Sequence, residues 1–407
     1  MSMGPILLWM LWLPVGTNTV VLPYRVDPEE PRLSRDWGGV RSSLEEKGLR
    51  IDFEYVGELF GNTTGGRATG VEAHGVADFS AELDFEPLFD LSGMRAKVHV
   101  LAPNGGSPSD ERVGDGLGVS GIDAPSGVRL QNLWVELGDE ERLRVRVGQQ
   151  IVDDEFLVTP GSELFLHGAA AFPANLSPNA PTWPFASTAA TFRFAPLEWL
   201  AWQGGAFHAD PDGVDDRTNP DGTRFGWDAS ETLWISEVVV QPAGPDSRAL
   251  WKAGGWWDTG DVVDPRDDDR TRGHTYGLFV AMDQPLWREA AGSDEGVDLV
   301  AQLGFSPDDR SVIERDARVA LVYQGLFSGR PDDRAGIGWF HPTVSGERRR
   351  ALPGVRTESF AELTYEAAIT PGWSLQGSVQ YIRNPGGADG ADLDDALVLG
   401  IRATLAF

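Results

Sequence analysis

From residue 51 to the C-terminus, apolar and polar side chains alternate with a period of two. In 51–59, Ile51, Phe53, Tyr55 and Leu59 share one face, and Asp52, Glu54 and Glu58 take the other. In 77–85, Ala77, Phe79, Ala81, Leu83 and Phe85 alternate with Asp78, Ser80, Glu82 and Asp84. In 94–100, Met94, Ala96, Val98 and Val100 alternate with Arg95, Lys97 and His99, and the last segment repeats the pattern from Leu397 to Phe407. Such alternation describes strands with one apolar and one wet face. Further strands are predicted near 128–137, 142–149, 188–194, 198–208, 231–240, 248–258, 273–283, 296–305, 317–326, 335–341, 355–369 and 372–383. The total is about sixteen, many near the ~9–11 residues that a tilted membrane strand needs, and an even number suits a closed single-chain barrel.

The connections carry a second pattern. Those over 60–76, 101–127, 150–187, 209–230 and 259–272 are long, and those over 86–93, 138–141, 195–197 and 241–247 are short. Long loops at one end and short turns at the other characterise outer-membrane barrels, and the rhythm puts both ends of the barrel on the periplasmic side. Before the strands, Asp36 caps a predicted helix that runs through Lys47, with Gly48 at the C′ position and Trp37, Val40 and Leu44 on one face. Residues Pro5–Val15 form an apolar run too short to span a bilayer as a helix. It suits the core of a secretory signal, although no Lys or Arg precedes Arg25. The expected organisation is a signal peptide over 1–23, an N-terminal segment over 24–50 and one barrel domain over 51–407.

Composition narrows the chemistry. The 407 residues carry 34 basic and 62 acidic side chains, a net charge of −28, so a polyanionic nucleic acid is a poor partner. Cysteine is absent, which excludes disulfides and thiolate metal sites. The six histidines show no HExxH or paired ligand spacing, and no GxSxG or Walker loop occurs. Asp210, Asp212, Asp215 and Asp216 have a spacing faintly like a calcium loop but lack the terminal Glu. No metal, cofactor or catalytic centre is therefore expected. Trp199, Trp202, Trp251, Trp256, Trp257, Trp287, Trp339 and Trp373 fall near strand ends, where membrane barrels carry aromatic girdles.

Nine segments in order along the chain resemble the carbohydrate-selective outer-membrane porin family. They are Arg35–Arg41 (RDWGGVR), Tyr55–Gly66 (YVGELFGNTTGG), Arg146–Phe156 (RVGQQIVDDEF), Gly254–Gly260 (GGWWDTG), Asp283–Glu289 (DQPLWRE), Gly304–Arg310 (GFSPDDR), Gly325–Asp333 (GLFSGRPDD), Tyr381–Gly387 (YIRNPGG) and the closing Ala396–Phe407. The resemblance implies a sixteen-stranded barrel with a short N-terminal helix, passive diffusion of mono- and small oligosaccharides, and a terminal aromatic, here Phe407, read by the barrel-assembly machinery. It also implies a surround of outer-membrane lipid and lipopolysaccharide. Monomer against homotrimer stays open, and the marked acidity leaves a general or cation-preferring pore as the alternative. A barrel enzyme would need a nucleophile and base at the rim, and a soluble carbohydrate-binding sheet would need polar outer faces.

A passive pore acts through whatever lines its narrowest point. On the 142–149 strand, Arg142, Arg144 and Arg146 alternate with Leu143, Val145 and Val147, so an apolar face against lipid puts an arginine ladder in the lumen at about 6.6 Å spacing. Glu54, Glu58 and Glu82 point the same way on the first two strands, as do Arg193, Glu237, Glu358 and Glu362 further on. The 150–187 segment is long and rich in Phe, Trp and Pro, so it is expected to fold into the barrel mouth rather than stand in water. Asp153, Asp154 and Glu155 lie at its base, with Phe165, Phe172 and Trp183 available for packing or sugar contact. Charged groups bind sugar hydroxyls, and aromatic rings bind the sugar's weakly apolar faces.

Overall fold

The computed structural model describes residues 32–139, 141–209, 219, 221–242 and 248–407. The apolar run at 5–15 and the Asp210–Asp216 cluster lie outside the described residues. Sixteen strands form one antiparallel sheet that closes on itself, each strand paired with its neighbours in sequence. They are β1 Leu49–Thr64, β2 Gly70–Asp84, β3 Met94–Gly105, β4 Arg129–Asp139, β5 Leu143–Gln150, β6 Ser187–Leu197, β7 Leu200–His208 and β8 Thr232–Val240, followed by β9 Leu250–Asp264, β10 Asp267–Arg288, β11 Gly296–Phe305, β12 Ile313–Gln324, β13 Arg334–Val344, β14 Ser359–Thr370, β15 Trp373–Arg383 and β16 Ala396–Ala406. β1 and β16 make the closing pair, in register from Glu54↔Ala406 to Thr64↔Leu397. Closure leaves no edge with unpaired backbone groups, the condition for sheet structure in lipid. No described helix is long and apolar enough to cross a membrane.

The alternation read from the sequence is the in–out alternation of the wall. Leu133, Val135 and Leu137 on β4 and Leu143, Val145 and Val147 on β5 are exposed outward, while Trp134, Glu136 and Arg144 between them are buried inward. A bulge opposite His99/Val100 resets the phase of β4, which is why Gln131 and Asn132 are both buried. Seven of the eight tryptophans assigned to the girdle are exposed on the outer surface. Trp256 is the exception: it is buried at 4% exposure among Val152, Phe156, Leu157 and Phe279, inside the barrel.

Two other expectations change. The first is the 259–272 connection. It is a continuation of the ladder, in which β9 and β10 run on to Asp264 and Asp267 with only Pro265 and Arg266 between. Likewise β1 and β2 extend until residues 65–69 alone connect them. Alternation fades there because both faces of a strand that rises past the membrane meet water. The second is the N-terminal helix, α1, which spans only Val40–Glu45. Arg35, Trp37, Gly38 and Gly39 take positive φ, so Trp37 lies ahead of the helix rather than on its face. Its N-cap is Gly39 rather than Asp36, which bonds the first turn from further back, accepting from the Ser42 N–H at 2.9 Å and the Ser42 hydroxyl at 2.8 Å. Gly48 is left-handed at φ 82°, where a Cβ would lie 2.3 Å from the Asp84 carbonyl oxygen. The segment ends at the barrel seam: Leu33 N–H donates to the Ala406 carbonyl at 3.0 Å and Arg41 to the Phe407 carbonyl at 2.9 Å. The Phe407 ring sits 5.4 Å from that of Phe53 on the outer face.

Val147 is 55% exposed on the lipid side of β5. Val147→Arg is expected to destabilise the barrel by about 2–4 kcal/mol at mid-bilayer depth, read by reversible unfolding in lipid vesicles. No loss would mean that this face of β5 is not against lipid.

Candidate functional site

The connection over 151–186 enters the barrel and runs round its inner wall. Its base is fixed by charge. Arg144 Nη1 donates to Glu136 at 2.9 Å and to Glu155 at 2.7 Å, and Arg146 reaches Glu136 at 2.7 Å and Glu155 at 2.5 Å. Arg95 also pairs with Glu136, and the Arg146 guanidinium stacks over Trp134 at 4.1 Å. Burial alone would raise the Glu155 carboxyl, but Arg144 and Arg146 outweigh it and hold the group down to about 2. The Glu155 backbone carbonyl then accepts from Gln203 Nε2 and Lys252 Nζ, each at 2.9 Å.

Beyond Glu155 the loop's polar groups are met by side chains of the wall. Glu237 on β8 accepts the Leu157 N–H at 3.1 Å, and is itself held by Lys252 and Gln203. Asp283 on β10 takes the Thr159 hydroxyl and the Gly161 N–H, both at 2.7 Å. Glu362 on β14 takes the N–H groups of Leu166 and His167 at 2.9 and 3.1 Å, while Gln376 on β15 donates to the Leu164 carbonyl at 2.6 Å. On the return path Asp316 on β12 takes the Ala174 N–H, Ser306 bonds Asn175, and Asp258 on β9 takes Ser177 and Asn179. Gly304 on β11 makes room for this contact, since a Cβ there would lie 1.8 Å from the Asn175 side-chain oxygen. The loop closes where the Trp183 N–H meets the Asp153 carboxylate at 3.2 and 3.3 Å. Its apolar side chains bury against inward-facing wall residues: Leu164, Phe165 and Leu166 with Val300, Phe340 and Phe360, and Val152, Phe156 and Leu157 with Phe207, Leu233 and Phe279.

The residues singled out in the sequence therefore divide. Arg144, Glu155, Arg193, Glu237 and Glu58 are all buried to 5% exposure or less, and each is engaged with other protein groups. Arg142 lies in the exposed turn before β5 and does not extend the ladder. Glu54, Glu82, Arg146, Asp153, Asp154 and Trp183 are only partly buried, Trp183 packing against Val56, Val76 and Leu101. Asp154 accepts from Asn132 at 3.0 Å; burial and the neighbouring Asp154 charge raise the Asp153 carboxyl. Phe165 packs edge-on against Phe340 at 5.4 Å, and Phe172 is half-buried against the Val152–Phe279 cluster.

Three lumen groups escaped the sequence reading. Lys97 faces inward on β3, level with Glu82 on one side and Trp134 on the other. Its alternation with Ala96 and Val98 was the available signal. Trp134, inside the 128–137 strand, was not singled out, yet it is the surface on which Arg146 rests. Glu163, exposed on the 3-10 turn Ser162–Leu164, sits in a loop with no periodicity to reveal it.

A further cluster tests for hydrolytic chemistry. Glu58 and the Ser120 hydroxyl both meet Nε2 of His74, at 2.7 and 3.1 Å, and His74 Nδ1 has no partner among the described residues. A nucleophile relay needs the serine and the acid on opposite ring nitrogens. Here Glu58 also binds Arg402 at 2.5 Å, and the cluster ties the 106–128 loop to β1 and β16. Among the described residues no group of three His or carboxylate ligands is placed to hold a metal.

The family profile described as "Carbohydrate-selective porin, OprB family" matches residues 69–407. The chain belongs to that family. Porin B of Pseudomonas aeruginosa is 26% identical over 426 aligned positions, covering 93% of this chain and 92% of the relative. The putative porin QuiX of Acinetobacter baylyi is 23% identical, with 91% and 92% covered. Among solved structures, Pseudomonas putida OprB at high pH superposes with a TM-score of 0.84 at 22% identity, over 94% of this chain and 100% of that one, and shares the fold. This porin is accordingly a bacterial outer-membrane β-barrel channel for carbohydrates.

Glu155→Ala in this porin removes the counter-charge shared by two largely buried arginines. Breaking such a pair typically costs about 3–5 kcal/mol. Limited proteolysis is expected to cut within 151–186 in the variant and not in the wild type, with the barrel still heat-modifiable on gels. An uncut loop would show that Glu155 does not anchor it.

Proposed function

We propose that this porin passes mono- and small oligosaccharides by passive diffusion through a waist bounded on one side by β1–β5 and on the other by the inserted loop. Arg146, Lys97, Glu54 and Glu82 form the wall side, and Asp153, Asp154, Glu163 and Trp183 the loop side. The observation that carries this reading is the commitment of the buried carboxylates to the loop. They are structural anchors, so much of the lumen's acidity is bound to the loop and does not face the solute. What is left facing the water is a mixed set of donors, acceptors and one aromatic face, which suits uncharged polyols. Arg146, fixed on Trp134 between two glutamates, presents its remaining surface rigidly, and a fixed donor loses little entropy when a hydroxyl binds. We further propose that outer-membrane lipid and lipopolysaccharide surround the apolar belt, and that the assembly machinery engages the Phe407 strand.

Liposome swelling tests this reading. Vesicles containing the porin should swell with monosaccharides faster than with disaccharides of equal osmolarity. Trp183→Ala should raise the disaccharide rate several-fold and narrow the difference. A folded barrel that gives no swelling with any monosaccharide would overturn the proposal. Faster permeation by organic cations than by neutral sugars would favour the general, cation-preferring pore.

A further inference from the structure

The 106–128 loop forms a second storey on the inserted loop. Gly121 N–H donates to the Leu166 carbonyl and Gly168 N–H to the Gly118 carbonyl, each at 2.8 Å. Gln380 on β15 donates to the Val119 carbonyl at 2.9 Å, and Val119 is fully buried among Phe60, Leu166 and Phe360. Besides Gln380 and the Ser120–His74–Glu58 cluster, the loop is tied to the wall by Glu358, immediately before β14 and only 3% exposed. One of its oxygens accepts the Gly116 N–H at 3.0 Å and the Gly386 N–H at 2.6 Å, joining the 106–128 loop to the 384–395 connection.

Asp115, next to Gly116, brings a second carboxyl to the same place. Its two oxygens and the second oxygen of Glu358 are sealed from solvent and close no hydrogen bond of normal geometry; the Ser109 hydroxyl and the Gly118 N–H are donors near Asp115. No Lys, Arg or His among the described residues lies within ion-pair distance of either carboxyl. The nearby cations are committed elsewhere. Arg67, from the 65–69 turn, bonds the Asp110 carbonyl, Arg356 pairs with Asp392, and Arg348 bridges Asp268 and Asp389 at 2.6 and 3.0 Å. The remaining charge facing the pair is Asp123, which is held by Ser107 at 2.6 Å and is of the same sign. Two buried like charges with no counter-ion cannot both persist. Two carboxylates are also too few for a divalent cation, which takes about six to eight oxygens.

We propose that the Asp115–Glu358 pair retains a proton and acts as a latch that holds the 106–128 loop, and through it the Leu166–Gly168 segment, against the barrel wall. Burial raises both groups, Asp115 to about 6 with the Asp123 charge adding to it, and Glu358 to about 8 with the Asp115 charge adding to it. Both bind protons more tightly in the latched loop than in a solvated one. The latch is therefore closed at acidic pH and weakens as pH rises through that interval. Its release would loosen the inserted loop at the waist, so solute flux becomes sensitive to external alkalinity.

The chain has no cysteine, so a single introduced thiol reports the motion. In Val119→Cys porin reconstituted in vesicles, the reactivity of the thiol toward a charged reagent, normalised to a free thiol, is expected to rise several-fold from pH 6 to pH 9. Glu358→Gln keeps an acceptor for Gly116 and Gly386 and offers Asp115 an amide donor. In the Glu358→Gln background, and independently in Asp115→Asn, the normalised reactivity should stay flat, with heat-modifiability confirming that each variant is folded. Equal pH dependence in wild-type and both variant backgrounds would overturn the proposal. So would suppression of labelling at pH 9 by calcium and its recovery with EDTA, because the pair would then hold a cation rather than a proton.

Discussion

The constraint on which the rest of this structure depends is the backbone of the inserted loop. A chain of about three dozen residues leaves bulk water and lies against an apolar stretch of barrel wall. Each buried N–H or C=O left unmet would cost a few kcal/mol. The loop is irregular and cannot meet its own groups as a helix or sheet would. The wall supplies what is missing through Glu237, Asp258, Asp283, Asp316 and Glu362, which accept from it, and through Lys252, Gln203, Gln302 and Gln376, which donate to it. The inward face of the barrel is as much a complement to this loop as a lining for solute.

That division explains the electrostatics of the lumen. A net charge of −28 on its own suggests a cation channel. Five inward carboxylates are spent on the loop, and Glu136, Glu155 and Glu58 are spent on Arg95, Arg144, Arg146 and Arg402. The arginines in turn fix the loop base and leave Arg146, backed by the buried Trp134, as a rigid edge of the lumen. In the function proposed above, carbohydrate selectivity rests on the geometry and hydrogen bonding of the groups left at the waist.

Much of the barrel was legible in the sequence, because a lipid face punishes charge. Leu143, Val145 and Val147 cannot exchange places with Arg144 and Arg146 without placing arginine in hydrocarbon. Sixteen segments therefore carried their own orientation. Strand ends were less legible, since the β9–β10 ribbon rises past the membrane and loses its apolar face. Trp256 misled for a related reason: a wall that receives a buried loop is apolar inside too, so an inward tryptophan looks like an outward one. The site was legible only as a face. Period two places Arg144, Arg146, Glu58 and Glu237 in the lumen, but whether each meets solute or loop is set by a segment with no periodicity. The same segment hid Glu163.

The central claim is that the loop sets the waist and the wall carboxylates serve the loop. Replacing residues 160–178 by a short Gly-Ser bridge, with Asp153–Glu155 and Trp183 retained, tests it by single-channel conductance and sugar swelling in the same vesicles. The account predicts a folded barrel whose conductance rises several-fold, whose discrimination between mono- and disaccharides is lost, and whose freed carboxylates shift it toward cation selectivity. Unchanged conductance and unchanged discrimination in a folded barrel would contradict it.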